Sequence, residues 1–184
     1  MQSLKGHLLV ASPQLIAPIF ARTVLLMLDH TEEGAAGVIL NRPTDTSVAE
    51  ISERIFEEPL AWEKPVSLGG PVPGPLMVLH ALEDLSDQEI LPGVYNTVES
   101  DKVQQLIQSR TEPSLIVANY AGWGPGQLES EFEDDSWLFM PASPEHVFWS
   151  GENELWDVVV KAINASQLSR LLRLKEVPND PTMN

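Results

Sequence analysis

Apolar residues gather along this chain in short runs, each bounded by proline, glycine or clustered acids. Leu8-Leu9-Val10-Ala11 is the first run and Thr23-Val24-Leu25-Leu26-Met27-Leu28 the second. Their length and flanking breakers predict buried strands rather than helices. Asp29-His30-Thr31-Glu32-Glu33-Gly34 reads as a turn, and Ala36-Gly37-Val38-Ile39-Leu40 as a returning strand. Residues 23–40 are therefore expected to form a hairpin, ended by Pro43, which cannot donate to a ladder. Val48, Ile51, Ile55 and Phe56 then recur at helical spacing, with Ser47 as N-cap and Glu50 completing a capping box. Further strands are expected at 66–68, 76–80, 94–98, 115–118 and 137–140. Ser100 or Asp101 can cap a helix reaching Arg110, a short acidic helix follows to about Asp134, and an amphipathic helix spans about residues 152–164. Residues 82–93 read as irregular.

Hairpins early in the chain and no strict strand–helix alternation point to an α+β fold rather than a doubly wound parallel sheet. No internal repeat or linker divides it. Residues 1–165 are expected to form one compact domain. Residues 166–184 read as a C-terminal extension, a short helix over 166–175 followed by a frayed tail around Pro178-Asn179-Asp180-Pro181.

Composition narrows the chemistry. With 184 residues, 43% hydrophobic and 21% charged, the chain is an ordinary globular sequence. A domain of this size buries roughly 70% of its unfolded surface, so no disulfide or metal is needed to hold its core. The absence of cysteine excludes a catalytic thiol, a disulfide framework and a thiolate metal site. No cofactor or metal is expected. No apolar run approaches the roughly 20 residues that span a bilayer, and the first residues lack the pattern of a signal peptide. No membrane association and a cytoplasmic location are therefore expected. The net charge of −16, from 27 acidic and 11 basic residues, repels nucleic acid before contact. The densest basic cluster is only Arg170, Arg173 and Lys175. Direct DNA or RNA binding is not expected; a basic protein partner is compatible with this surface.

Candidate site residues lie in loops. Gly122-Trp123-Gly124-Pro125-Gly126-Gln127 places three glycines between a strand and a helix, which permits close approach and could present amide N–H groups to an anion. No Lys-Ser/Thr follows, so it is not a P-loop. It reads either as a tight turn with Trp123 packed as a lid or as a ligand or partner surface, with Trp123 the favoured exposed aromatic. Gly69-Gly70-Pro71 is either a bend where two backbones cross or part of the same cleft. Arg22 and Arg42, the latter beside Asn41 and Pro43, could fork onto a carboxylate or phosphate or clamp an acid of the protein itself. His30 reads as part of a solvated turn. His80 reads as a strand-end histidine satisfied by backbone, or as a general base. Trp156 is expected in the core, and Trp149 near a turn could be either buried or functional. There is no Gly-x-Ser-x-Gly elbow, Ser-x-x-Lys or His-Glu-x-x-His.

Several stretches together resemble the YqgE/AlgH family of bacterial proteins. They are Leu4-Lys5-Gly6-His7-Leu8-Leu9-Val10-Ala11 with Pro13, Phe20 and Arg22-Thr23-Val24; Asp29-His30 with Glu32-Glu33-Gly34-Ala35; and Gly37-Val38-Ile39-Leu40-Asn41-Arg42-Pro43. Leu68-Gly69-Gly70-Pro71-Val72 with Val78-Leu79-His80, then Tyr120-Ala121-Gly122-Trp123-Gly124-Pro125-Gly126-Gln127-Leu128-Glu129, complete the series, with Trp156 on a late helix. The chain departs from the family pattern at Ala17, Asn119 and Trp149. The resemblance implies a strongly bent or partly closed mixed sheet with helices packed around it. It implies little about activity, since members are largely uncharacterised and one branch carries a transcriptional-regulator label. The expectation is a binding or regulatory protein that recognises a protein partner or a small molecule through the Trp123 and Gly69–Pro71 loops. The rival readings are a hydrolase-like enzyme built on His80 and Arg42, and a regulator that binds DNA directly. Oligomeric state is left open.

Overall fold

The structure, a computed structural model, describes residues 3–57, 60–152 and 154–175. Ten strands form one curled sheet. They are β1 (His7–Ala11), β2 (Val24–Thr31), β3 (Gly34–Ile39), β4 (Pro43–Ser47), β5 (Pro65–Leu68), β6 (Val72–His80), β7 (Gln88–Leu91), β8 (Val94–Thr97), β9 (Ser114–Trp123) and β10 (Trp137–Pro141). The helices are α1 (Val48–Phe56), α2 (Ser100–Gln108), α3 (Gln127–Glu133), α4 (Pro144–Val147) and α5 (Leu155–Lys175). The path runs β10-β1-β2-β3-β9-β6-β8-β7, antiparallel throughout, with β4 and β5 attached through a parallel β5–β9 pairing. The mixed α+β architecture with a half-closed sheet is the one expected.

β9 is the spine of this curl. Its first half pairs with β6 on one edge and β5 on the other, and its second half pairs with β3. Asn119, at φ 67°, lies between the two halves. Asparagine tolerates this left-handed conformation better than most residues. There Gly69 and Gly70 press against the β9 backbone. A Cβ on Gly69 would meet the Asn119 carbonyl oxygen at 2.3 Å, and one on Gly70 the Tyr120 carbonyl carbon at 2.3 Å. Gly69 also links β9 to β3, donating to Ala118 O at 2.8 Å and accepting from Ile39 N at 2.9 Å.

Strand periodicity sorts the core into layers. Val24, Leu26 and Leu28 of β2 face a cluster closed by Trp156, Val159 and Ile163 of α5. Leu25 and Met27 face the opposite side, toward Trp123, Leu128 and Trp137. Both faces of β2 are thus buried, which is why its apolar run is unbroken. A third cluster joins Val48 of α1 and Val103, Leu106 and Ile107 of α2 to Val66, Val78 and Ile116.

The structure departs from sequence expectation at several elements. β2 continues through Asp29, His30 and Thr31, so the 23–40 hairpin turns at Glu32 and Glu33. Pro43 opens β4 rather than ending all pairing. Residues 82–93 hold a short 3-10 turn (Glu83–Leu85) and β7. α4 was not foreseen. α5 runs unbroken through residues 165 and 166, one helix where two were expected. The tail at 178–181 lies outside the described residues. Ser47 caps α1 as expected, its side chain accepting from Glu50 N at 3.3 Å.

Candidate functional site

The glycine/tryptophan loop carries its aromatic inward. Trp123 is 6% exposed, not the exposed aromatic expected. Its indole Nε1 donates to Glu131 Oε2 at 2.9 Å, and Trp137 Nε1 donates to the same oxygen at 2.7 Å. The two indoles meet edge to face with centroids 6.1 Å apart. Gln127 completes the arrangement, donating through Nε2 to Glu131 Oε1 and accepting from Gly124 N through Oε1. The physical reason for the correction is the carboxylate of α3. By taking both indole N–H groups it lets two tryptophans enter the core without unsatisfied donors. Gly126, at φ 72°, turns the chain into α3.

Gly69 and Gly70 form the close backbone crossing described above. Pro71 beyond them is exposed. Tyr120, half-buried, covers Gly74 and Gly122, with ring carbons 2.8 and 3.3 Å from where their Cβ atoms would be. The Gly69–Pro71 and Trp123 segments are therefore neighbours along β9, but the Trp123 ring is turned into the core between them and α3.

Asn41, Arg42 and Arg22 fasten the 20–23 loop. Asn41 accepts from Val24 N and donates to Arg22 O, both at 2.9 Å. Arg42 donates to the carbonyls of Ala21 and Asn41. It is a clamp, onto main-chain oxygens instead of a carboxylate. Arg22 reaches Asp157 at 2.8 Å and stacks 4.3 Å over Trp156, tying the loop to α5.

His80 is fully buried. Its Nδ1 accepts from Leu82 N at 3.1 Å, which leaves the proton on Nε2 to be donated to Thr97 Oγ1 at 2.8 Å. Thr97 passes a hydrogen bond to Leu85 O at 2.6 Å. Burial lowers the His80 pKa below its ordinary value, opposed by the Asp87 charge. Arg42 sits beside Leu68, whose β9 partner is Ala118, whereas His80 pairs with Ser114 across β9. Arg42 is engaged by main-chain carbonyls and His80 is buried with both ring nitrogens bonded, so neither side chain offers a free group for a proton transfer between them.

His30 is also misjudged by sequence. Its side chain is buried in β2, Nδ1 accepting from Leu4 N at 3.1 Å and Nε2 lying 3.0 Å from Glu129 Oε1. Among the described residues, no group of three or more His, Cys, Asp or Glu could hold a metal, and no helix is long and apolar enough to cross a membrane.

A large concavity lies elsewhere. A groove of about 800 Å³ opens where residues 64–67 and 112–115 face residues 147–152 and 154–155. Lys64 Nζ contacts both Glu112 carboxylate oxygens, at 2.6 and 2.8 Å. Glu112 Oε2 also accepts from Ser114 N at 3.0 Å. Trp149 stands at the rim, 36% exposed, lying over Gly151, where a Cβ would come within 2.3 Å of its ring. Of the residues raised by sequence, Asn41 lines this groove, as does Trp149, which sequence leaves open between buried and functional. Lys64, Glu112 and Trp149 are far apart in sequence and form no motif, so only their convergence in space marks them.

A half-closed, mainly antiparallel sheet wrapped by helices, with an open groove beside β5 and the start of β9, defines the class of this protein. The chain belongs to the AlgH-like family, whose model matches residues 8–167. It is 38% identical over 163 residues to a UPF0301 protein of Chlorobaculum tepidum, covering 85% of each chain. It is 34% identical over 186 residues to a UPF0301 protein of Chlamydia pneumoniae, covering 98% of this chain and 95% of that one. The solution structure of the AlgH protein from Pseudomonas aeruginosa superposes with a TM-score of 0.74 at 33% identity, covering 97% of this chain and 96% of that one.

Proposed function

We propose that this chain is a binding protein and that its recognition surface is the groove bordered by Lys64, Glu112 and Trp149. The supporting observation is the groove itself: an open concavity within the size range of ligand sites, carrying an exposed tryptophan on a loop and a pinned ion pair. Of the loops expected to do this work, Gly69, Gly70 and the Trp123 ring are taken into the interior, while Pro71, Gly122 and residues 124–127 stay exposed. The hydrolase-like reading loses its base, because His80 is sealed and satisfied on both nitrogens. A regulatory role is compatible with the groove if it acts through another protein, since a net charge of −16 opposes direct contact with DNA.

Complementation of a deletion strain tests this reading. Trp149→Ala and the paired exchange Glu152→Gln with Glu154→Gln are expected to fold with near-normal melting temperatures and to fail to restore the deletion phenotype. Full restoration by both would remove the groove from the function. Trp123→Ala and Gly70→Ala are unsuitable for this purpose, because both disturb the core before any surface.

A further inference from the structure

Charge and shape at the groove select among possible occupants. We propose that it binds a basic segment of a partner protein, one presenting an arginine or lysine beside an apolar side chain; this rests on reading the groove as the recognition surface. Three carboxylates, Glu112, Glu152 and Glu154, line it among the described residues, against the single cation Lys64. Lys64 is already held by both oxygens of Glu112, and Glu152 and Glu154 are exposed at the mouth. A phosphate or carboxylate ligand would meet repulsion here, and a cation attraction.

The aromatic rim points the same way. Trp149 is exposed at this rim, and tryptophan is the most favourable aromatic for an ammonium or guanidinium. Half-buried Leu115 and Phe148 give the groove an apolar stretch, which a simple polyamine could not use and an apolar side chain next to a basic one could.

The test uses the full chain and three fluorescein-labelled short peptides in which leucine alternates with arginine, glutamate or serine, together with spermidine. Binding is read by anisotropy and mapped by amide and indole NMR shifts. The arginine peptide is expected to bind and to shift the Trp149 indole. Trp149→Ala should weaken it about tenfold. Glu152→Gln with Glu154→Gln should weaken it several-fold and flatten its salt dependence. Glu32→Gln with Glu33→Gln, which removes the same charge at the β2–β3 turn, should leave it unchanged. Equal loss in that control pair would mean bulk attraction and would overturn the proposal. So would binding of spermidine as tight as that of the arginine peptide. Binding of the serine or glutamate peptide with a Trp149 shift would overturn the basic-segment proposal while leaving the groove as a recognition surface. No shift at Trp149 with any probe would count against both.

Discussion

Glu131 shows how one side chain decides what its neighbours can be. Its carboxylate accepts from Trp123, Trp137 and Gln127, so its removal strands two indole donors in an apolar cluster. Glu131→Ala is expected to cost about 3 kcal/mol, and Glu131→Gln, which keeps an acceptor, about 1 kcal/mol. Denaturant titration of both variants checks the ranking, and equal costs would show that the shared acceptor is not the cause. His80 carries a pH signature. Its folded pKa lies below the ordinary value of 6.5 because burial penalises the imidazolium, and His146 shifts the same way for the same reason. For a histidine with a depressed folded pKa the unfolded chain binds the proton first. Stability is therefore complete above about pH 6.5 and falls as pH drops toward the folded pKa, by at most about 1.4 kcal/mol per pH unit per histidine. Unfolding free energies between about pH 7.5 and about pH 5.5 should show this decline, and it should shrink in a His146→Gln variant. A flat profile would mean that these side chains protonate freely in the fold. A backbone-satisfied His80 was legible in advance, since its partner Leu82 N lies two residues away. Sequence leaves His30 as a turn residue, and only tertiary neighbours tell that it is buried and accepts from Leu4 N.

At the scale of elements, sequence read best where a segment's own pattern suffices. The β2–β3 hairpin, α1 with its Ser47 cap, and β5, β8 and β10 follow from local periodicity and breakers. It failed where pairing overrides propensity. β7 holds one buried residue, Ile90, in Gln88–Leu91, and it is a strand because β8 offers a ladder. β9 extends past Ala118 through Asn119 and Gly122 because β3 pairs with its far half. The crossing at Gly69–Gly70 depends on this extension. Gly70→Ala would place a methyl 2.3 Å from both the carbon and oxygen of the Tyr120 carbonyl. Overpacking against backbone cannot be relieved by a rotamer change, so a loss of about 3 kcal/mol or more is expected. For a chain of this length that lowers the melting temperature by roughly 6–12 °C. Gly126→Ala, with nothing within 4 Å of its Cβ position, should cost far less, through its positive φ alone. A reversed order in calorimetry would contradict the crossing.

For the molecule as a whole, the excess of 16 negative charges means that the folded state repels itself. Raising NaCl from about 0.05 to about 0.5 M shortens the screening length severalfold, and the melting temperature is expected to rise. A fall would show that favourable pairs such as Lys64–Glu112 and Lys102–Asp87 outweigh the repulsion. The sequence by itself determined the fold class, most elements and the unfavourable field toward nucleic acid, because these depend on composition and on patterns within a dozen residues. The family resemblance carried the half-closed sheet. Tertiary structure alone decided which residues line the groove. Trp123 entered the core because an acid eight residues later accepts its N–H, and Arg42 turned to main-chain carbonyls because the 20–23 loop folds over it. Lys64, Glu112 and Trp149 came together because the groove lies between segments whose separation along the chain no local pattern can span.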